Sequence, residues 1–420
     1  MTHSNGTVQN GKAIDVDKYA VSPSSPEKVT DLIQEIASEG KGYLSGDASA
    51  RLKLLEATRQ LTYALETPRE TIIRQCWSQP VTFAAIETGV DLDLFAALSK
   101  DGTPKTVDEL AKATASDPAM LSRIMKHLAA TGVVNEIDCD MYGLNGFSTV
   151  MTSQKYGDSY KITNRSFNKG VLAIPEFLKK TNYSNPTSPT DTPFHLGHDT
   201  NITIFEHIQQ DPVLSRQFNN HMSAYAQGRY RWMDPGFYPV QKQLIDGTTI
   251  GDQDVLMVDI GGSFGHDLVD FRRKWPDVPG RLVLQDLPEV VASVQKLDPS
   301  IDVMGYDFFT EQPIKGARAY YMHSILHDWP DDVCRKILSR IIAAMRPGHS
   351  KLLINENVVP SKEAYWETTG LDLLMLSFGG KERSEKDWYE LLASAGLKIV
   401  NIWTAQRGVE SLIECELAQV

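Results

Sequence analysis

One histidine and two glutamates stand where a layered α/β protein would present side chains to a ligand. His327 follows the apolar run AYYMHSI, Glu356 ends the apolar run LLINE, and Glu382 precedes the next helical stretch. Parallel sheets bind ligands outside the carboxyl ends of their strands, so the three side chains are expected to share a cleft. A carboxylate that hydrogen-bonds an imidazole fixes its tautomer and stabilises the imidazolium formed by proton transfer. The pattern predicts a general base, although each residue alone is more often a structural histidine or a solvated charge.

A glycine-rich turn follows the apolar run VLMVDI and predicts a site for a nucleotide-like ligand. Its glycines, which let the backbone turn tightly and approach a ligand closely, are Gly261, Gly262 and Gly265. Asp286 ends the next apolar run, 21 residues after Gly265, where a carboxylate can accept both hydroxyls of a ribose. Ser263 and His266 stand where the dinucleotide fingerprint requires glycine, so NAD is disfavoured. Turn and acid together indicate an adenosine-bearing ligand, whereas the glycines alone are equally typical of a structural turn.

The elements that must position these residues are predicted from Asp254 onward. Helical stretches such as LPEVVASVQKL and DDVCRKILSRIIAAM separate four short apolar runs, which are VLMVDI, RLVLQ, ARAYYMHSI and KLLINENVV. This alternation predicts an α/β fold in which a parallel sheet carries helices on both faces. The last stretch, KIVNIWTAQRGVESLIECELA, predicts a hairpin with its turn at Gly408, at the end of that sheet.

The region before the predicted sheet is expected to be mainly helical. Residues 1–25 lack apolar periodicity and predict a disordered arm. Thr106 and Glu109 form a capping box, and Asp117 precedes a proline suited to a first helical position. A strand hairpin is predicted after these two helices, at about residues 133–144. Helix, turn, helix and hairpin is the order found in a winged helix.

The segment between the helical region and the predicted sheet carries weaker signals. Residues 181–201 are rich in Thr, Pro, Ser and Asn and predict an ordered loop. Residues 218–233, FNNHMSAYAQGRYRWM, predict a helix that carries aromatic and methionine side chains.

Charge and cysteine usage exclude several classes of partner. The net charge is -12 and the pI about 5.4, which argues against nucleic acid or an anionic membrane as the main partner. A DNA-binding regulator would need a basic recognition helix, but the candidate carries only Arg123, Lys126 and His127. No apolar run approaches the length of a bilayer span, and the N-terminus lacks the apolar core of a secretion signal. The cysteines are widely spaced and indicate a reducing compartment, so a cytoplasmic protein is expected; they are Cys76, Cys139, Cys334 and Cys415.

Six motifs taken together resemble the plant-caffeate and fungal family of S-adenosylmethionine-dependent O-methyltransferases. The motifs VDIGGSFGHD, LQDLP, YDFF, ILHDWPDD, NENVVP and GGKER occur in the family's order. The resemblance implies a Rossmann-like methyltransferase domain at residues 241–420. It also implies a winged-helix dimerisation domain at 26–150, with helices and a loop lining the substrate site at 151–240. A homodimer that uses S-adenosylmethionine is expected.

The resemblance also assigns roles to individual positions. His327 matches the family's general base, and Glu356 and Glu382 match its flanking carboxylates. The positions implied to bind the cofactor are Asp259, Gly261, Gly262, Gly265, Asp286, Leu287, Asp307, Phe308 and His323. Two positions depart from the family pattern: Ser263 replaces the usual third glycine, and His323 stands where Lys or Arg is common. The contact made at residue 323 is therefore expected to differ.

The expected acceptor is a phenolic or enolic hydroxyl of a small, polyketide-derived secondary metabolite. Methyl transfer needs alignment and one base but no metal, and the sequence shows no clustered metal-ligand set. The side chains expected to line an apolar pocket are Met222, Tyr225, Trp232, Met375 and Phe378. Core packing is an equally good interpretation for any one of them.

A second interpretation keeps the methyltransferase fold but not methyl transfer. Some fungal relatives in this family bind the cofactor and promote pericyclic or dehydration steps, and fold alone does not decide function. The presence of His327, Glu356 and Glu382 favours methyl transfer, because an enzyme without that reaction can replace the base.

Overall fold

The computed structural model describes residues 8–9, 12–294 and 297–418, which form two compact units, Met1–Tyr160 and Lys161–Val420. The boundary between the units falls within one helix, Gln154–Ile162. None of the described helices is both long and apolar enough to span a bilayer.

The first unit is mainly helical. Its helices are α1 (Val16–Ala20), α2 (Val29–Leu44), α3 (Ala50–Leu65), α4 (Pro68–Ile73), α5 (Gln79–Asp91), α6 (Leu94–Ser99), α7 (Val107–Thr114), α8 (Pro118–Ala130), α9 (Gly146–Val150) and α10 (Gln154–Ile162). Its strands are β1 (Val8–Gln9), β2 (Lys12–Ala13), β3 (Lys105–Thr106), β4 (Asn135–Asp138) and β5 (Met141–Gly143). A 3-10 turn at Pro26–Lys28 precedes α2, and a π-helical turn at Arg74–Ser78 joins α4 to α5.

The helix starts predicted in this unit are confirmed. The Thr106 side chain accepts from the Glu109 N–H while the Glu109 carboxylate accepts from the Thr106 N–H, so α7 begins at Val107. Asp117 caps α8, the hairpin of β4 and β5 follows it, and β3, which precedes α7, pairs with β5 to complete one small antiparallel sheet. The winged-helix classification stays a prediction. Within the predicted arm, residues 1–7 and 10–11 lie outside the described residues, and the rest includes β1, β2 and α1.

The second unit holds a seven-stranded sheet. Its strands are β6 (Val255–Ile260), β7 (Arg281–Asp286), β8 (Ile301–Gly305), β9 (Ala319–His323), β10 (Lys351–Glu356), β13 (Leu397–Trp403) and β14 (Ser411–Leu417), and a separate two-residue pair is β11 (Val358–Val359) with β12 (Arg383–Ser384). Its helices are α11 (Asn168–Lys180), α12 (Pro193–His198), α13 (Ile204–Gln209), α14 (Pro212–Tyr225), α15 (His266–Lys274), α16 (Pro288–Val291), α17 (Asp331–Ile342), α18 (Trp366–Leu376) and α19 (Glu385–Ser394). Short π-helical turns cover Thr163–Phe167 and Gln241–Ile245, and a 3-10 turn covers Leu326–Asp328.

The sheet confirms the predicted α/β class. Its order is β13-β14-β10-β9-β6-β7-β8, with β14 antiparallel to both neighbours and the other neighbouring pairs parallel. Apolar side chains are buried on both faces: Val258 and Tyr320 belong to one core, and Met257 and Tyr321 to the other. The predicted final hairpin, β13 and β14, is present at one edge. The carboxyl ends of β6, β7, β9 and β10 meet at one rim, which is where the candidate residues stand.

Two predicted helices are shorter than expected. The helix predicted over residues 218–233 instead begins at Pro212, where Asp211 caps it, and ends at Tyr225. Turns follow because Gly228 takes a positive φ of 72°, which breaks the helical path. Helix α16 ends at Val291, and residues 295–296 of that predicted helix lie outside the described residues. Strand β8 was not predicted, since only Ile301 is fully buried in it and the strand gives no continuous apolar run.

Candidate active site

His327 lies in a short turn that a buried carboxylate holds in place. Glu356, at the end of β10, uses one carboxylate oxygen to accept three backbone N–H groups: Ile325 at 3.0 Å, Leu326 at 2.8 Å and His327 at 3.3 Å. These N–H groups would otherwise be buried without a partner, which costs about 1–3 kcal/mol each. Glu356 therefore fixes the turn that carries the histidine.

The imidazole of His327 is held closely at one nitrogen, while its other nitrogen has only a longer carboxylate contact. Nδ1 lies 2.7 Å from Glu382 Oε1 and 3.7 Å from Glu356 Oε2, whereas the nearest carboxylate to Nε2 is Asp328, at 3.5 Å. A carboxylate at Nδ1 favours the tautomer with its proton there, which leaves the Nε2 lone pair available. Among the described residues, this is the arrangement expected of a general base.

Burial and the surrounding carboxylates act in opposite directions on His327. Burial alone would lower the pKa of the imidazole, but the charges of Glu356, Asp328 and Glu382 outweigh it and raise the pKa to about 10. Burial also raises the pKa of Asp328 to about 7, despite the opposing charge of His327, and raises the pKa of Glu356. Because its pKa is raised, His327 favours the imidazolium form at neutral pH.

The segment around Glu382, residues 380–383, also holds the turn of His327 in place. The Lys381 N–H donates to the His327 carbonyl at 2.8 Å, and a side chain at Gly380 would collide with that carbonyl oxygen. Arg383, which is fully buried, donates to the carbonyls of Leu326 at 2.7 Å and Trp329 at 2.9 Å. Sequence reasoning missed the role of Arg383, and its only signal was its place in the motif GGKER.

The glycine turn after β6, which we call the cofactor cradle, has the tight backbone geometry on which the prediction of a cofactor site rests. Gly261 has a φ of 73°, and a Cβ there would lie 2.6 Å from Ile325 Cδ1, so only glycine fits. The Gly262 N–H donates to the Gln285 carbonyl, and Gly265 precedes α15. Asp286 accepts the Ser263 N–H at 2.8 Å, which fixes its carboxylate beside the turn. Burial raises the pKa of Asp286.

A second ionic network adjoins the cradle. His323 Nδ1 lies 2.6 Å from Asp267, and its Nε2 lies 3.6 Å from Glu410, so the imidazole bridges two carboxylates. Burial alone would lower the pKa of His323, but Asp267 and then Glu410 raise it well above its usual value. Neither Asp267 nor Glu410 was singled out from the sequence.

Asp259 is placed as a group that needs a cationic partner. It is almost fully buried at the end of β6, and its Oδ2 has no hydrogen-bond partner in the protein. Burial, followed by the charge of Asp267, raises the pKa of Asp259. An ammonium group such as that of the methionine portion of S-adenosylmethionine would satisfy this oxygen, so the residues present fit the expected cofactor.

The remaining cofactor candidates lie at the neighbouring strand ends. The Leu287 N–H donates to Asp286 at 2.7 Å, next to the turn. Asp307 and Phe308 follow β8, and the Phe308 ring packs edge-on against Trp329 with centroids 6.3 Å apart. Phe308 therefore approaches the segment that carries His327.

The predicted substrate-lining residues divide into three groups. Met375 and Phe378 lie at the end of α18, directly before the segment that holds His327. Tyr225 donates from its hydroxyl to Glu410 at 3.0 Å, whereas Met222 is 36% exposed. Trp232 instead packs in the core, with its ring centroid 5.3 Å from Tyr321. A pocket-lining role for Trp232 is not supported by this placement, because the tryptophan follows the end of α14 and does not share its face.

His327, Glu356 and Glu382 also offer atoms that could hold a metal. Their ligand atoms lie within 4.8 Å of one another. One oxygen of Glu356 accepts three N–H groups and one oxygen of Glu382 bonds the imidazole, whereas Oε2 of each carboxylate is buried without a hydrogen-bond partner. The expectation of metal-independent chemistry stays a prediction.

A tight glycine turn, a carboxylate at the next strand end and an imidazole held by a carboxylate, all at one sheet rim, are features of an enzyme that binds an adenosine-bearing cofactor. Two family models match the chain: an O-methyltransferase dimerisation domain at residues 78–154 and an O-methyltransferase domain at residues 191–398. The O-methyltransferase mpaG of Penicillium brevicompactum is 37% identical over 404 residues, which cover 95% of this chain and 100% of that protein. The chain belongs to the S-adenosylmethionine-dependent O-methyltransferase family. The predicted family, fold class and enzyme class are confirmed.

Two solved structures are similar over almost the whole chain. LepI in complex with S-adenosylmethionine has a TM-score of 0.83 and 29% identity, covering 94% of this chain and 100% of its own. A structure described as a pericyclic reaction enzyme has a TM-score of 0.82, 29% identity and the same coverage. Proteins similar to this chain are therefore described both as O-methyltransferases and as a pericyclic reaction enzyme.

Proposed function

We propose that this enzyme methylates a phenolic or enolic hydroxyl of a small secondary metabolite, with His327 as the general base. The observation that carries the proposal is the imidazole held at Nδ1 by Glu382, with Nε2 directed away from that partner. A phenol has a pKa near 10 and is mostly protonated at neutral pH, so it needs a base within reach. His323, beside the cofactor cradle, is also held by a carboxylate at Nδ1, but the family's general base matches His327, and we assign proton transfer to His327.

The chain's own residues supply positioning and proton transfer. Glu356 and Arg383 hold the turn, and Glu382 holds the ring, so Nε2 of His327 meets the hydroxyl in one orientation. His327 takes the hydroxyl proton at Nε2, and Glu382 stabilises the imidazolium that results. Asp286 and Asp259 would bind the ribose and the ammonium of the cofactor. S-adenosylmethionine, when bound, supplies the methyl group as an electrophile.

The raised pKa of His327 matches the proton it must accept. A base whose pKa is about 10 is close to a phenol, so transfer between them is nearly balanced. The imidazole must be neutral to start, and the neutral fraction grows with pH. We therefore expect kcat/KM to rise with pH across the alkaline range.

The test compares methyl transfer by the wild-type enzyme and His327→Ala, with labelled S-adenosylmethionine and a panel of phenolic polyketides. Label in the product should fall by roughly two to four orders of magnitude in the variant. Binding of S-adenosylhomocysteine should stay within about threefold, since His327 is not part of the glycine cradle. Unchanged turnover in the variant would refute the role of His327 as general base. Because no metal is expected to take part, the wild-type enzyme should keep full activity after treatment with EDTA.

A non-methylating pericyclic reaction is the second candidate. It is favoured by the 29% identity and TM-score of 0.82 to a structure described as a pericyclic reaction enzyme. The same assay separates the two candidates. Substrate consumed without transfer of label, by an enzyme that binds the cofactor, would support this second function over the first.

We also propose a cytoplasmic homodimer whose first unit contains a winged-helix dimerisation domain. The match of residues 78–154 to a dimerisation domain supports the dimer. All four cysteines are free, which agrees with a reducing compartment. A solution mass near twice 46.8 kDa is expected by light scattering, and a monomeric mass would contradict the dimer.

A further inference from the structure

One face of α14 carries polar side chains into the protein interior. Gln217, His221 and Tyr225 are spaced four residues apart and therefore lie on one side of the helix. Gln217 is only 3% exposed, yet its Oε1 has no hydrogen-bond partner in the protein. Nδ1 of His221 is likewise buried without a partner. Met222, the neighbour predicted to line the pocket, is on a different side of the helix.

The same region contains a further polar atom between aromatic walls. Oγ of Ser166 is buried without a partner, in the residue next to Phe167. The Phe167 ring lies 6.0 Å from the His221 ring and 6.5 Å from the Phe378 ring. Unpartnered buried polar groups normally cost stability, so a concentration of them beside aromatic rings is typical of a binding site.

This polar face borders the catalytic base. Phe378 precedes the segment in which Lys381 donates to the His327 carbonyl at 2.8 Å. Tyr225 is the last residue of the polar face. Burial raises the pKa of its phenol, the charge of Glu410 raises it further, and the charge of Glu382 adds to the effect. The polar face of α14 therefore reaches the surroundings of Glu382, the carboxylate that holds the imidazole of His327.

The chemistry of the free atoms selects neutral oxygen groups. An amide, an imidazole and a hydroxyl all exchange hydrogen bonds with hydroxyl or carbonyl groups, and burial lowers the pKa of His221, which keeps it neutral. The nearby cation, Arg229, already donates to Glu410 and to the Gly408 carbonyl. A carboxylate or phosphate on the acceptor would find no free cation among these groups.

We propose that Gln217 and His221 form an acceptor-recognition site that binds a second, neutral oxygen substituent of the substrate. The inference rests on the proposed function and narrows its substrate class to polyoxygenated aromatic or enolic molecules. The hydroxyl at His327 is methylated, while the second hydroxyl or carbonyl is bound at α14.

The test uses 1-naphthol and a set of dihydroxynaphthalene isomers as acceptors. The best diol should exceed 1-naphthol in kcat/KM by about 10- to 100-fold, because buried polar groups discriminate against a ligand that leaves them unpaired. In His221→Phe and Gln217→Met this preference should shrink to within about threefold through loss of activity on the diol. Val213→Ala, at an exposed position of the same helix, is the matched control and should keep the preference.

Two further measurements separate this inference from its alternatives. Calorimetric titration of the diols into enzyme loaded with S-adenosylhomocysteine measures recognition even where no methyl is transferred, so failure of the proposed function does not mask this site. Melting temperature distinguishes recognition from folding: replacing an unpartnered polar atom by an apolar group should not lower it. Equal affinity for naphthol and diols, binding by none of them, or a preference unchanged in both variants would overturn the inference.

Discussion

Replacing Glu382 by glutamine removes the charge that holds Nδ1 of His327 while keeping the size of the side chain. The hydrogen bond spans 2.7 Å and becomes charge-assisted when the imidazole is protonated. Such bonds contribute about 1.5–3 kcal/mol, so the imidazolium formed during the reaction should lose that stabilisation. The corresponding fall in kcat is about 10- to 150-fold.

The same change should move the pH dependence in a defined direction. At about 1.36 kcal/mol per pKa unit, loss of the bond lowers the pKa of His327 by roughly one to two units from its value of about 10. The neutral base is then present at lower pH, so the rising limb of kcat/KM should shift to lower pH while its plateau falls. The contribution of His327 to stability changes with pH in the opposite direction. Because the pKa of His327 is higher in the folded state than its unfolded value near 6.5, this contribution is complete below pH 6.5 and is lost as the pH rises toward 10. The variant's loss of melting temperature should therefore be larger at pH 6 than at pH 10.

The assay is a pH series of initial rates with labelled S-adenosylmethionine, alongside melting curves at both pH values. Glu385→Gln is the matched control, because this glutamate is three residues away and exposed at the start of α19. An unshifted limb together with an unchanged kcat would mean that Glu382 does not orient the base. A shift to higher pH would contradict the electrostatic argument itself.

Two further changes test how the turn of His327 is held. Glu356→Ala leaves three N–H groups of residues 325–327 without their acceptor. We therefore expect a loss of about 3 kcal/mol or more in the free energy of unfolding, measured by denaturant titration. A loss below about 1 kcal/mol would show that other contacts hold the turn. Arg383→Met keeps the apolar stem but leaves the Leu326 and Trp329 carbonyls unpaired, so kcat should fall by about tenfold or more while KM for S-adenosylmethionine changes little; an unchanged kcat would refute the positioning role.

The sheet was predictable because its strands have a strong local signature. Strands such as β6 and β10 are buried along almost their whole length and therefore read as continuous apolar runs. Strand β8 was missed because only Ile301 is fully buried in it. The capping residues Thr106 and Asp117 were equally visible, since a cap acts on N–H groups two or three residues away. Helix α14 was placed too far along the chain, because its end depends on a turn at Gly228 that periodicity does not reveal.

The base and its partners were predicted as a set, but their division of labour was not. Sequence and resemblance left open whether Glu356 or Glu382 holds the imidazole. In the structure the two glutamates have different contacts. Glu382 contacts Nδ1 directly, whereas one oxygen of Glu356 accepts hydrogen bonds from the backbone of the turn. This division depends on differences of about one ångström in the distances between residues that are far apart in the sequence. No local sequence pattern encodes such differences.

The proposed recognition face of α14 lies next to Met222, which the sequence predicts to line the pocket. Sequence reasoning sought apolar and aromatic side chains and chose Met222 and Trp232, since pockets are mainly apolar. In the structure, Trp232 completes the core, while Gln217 and His221 turn unpartnered atoms inward. In a sequence, a buried glutamine cannot be distinguished from a solvated one, because only the tertiary fold decides what meets its amide. Recognition residues of this kind become visible through the hydrogen bonds that the folded chain leaves unmade, and these are the bonds a substrate can supply.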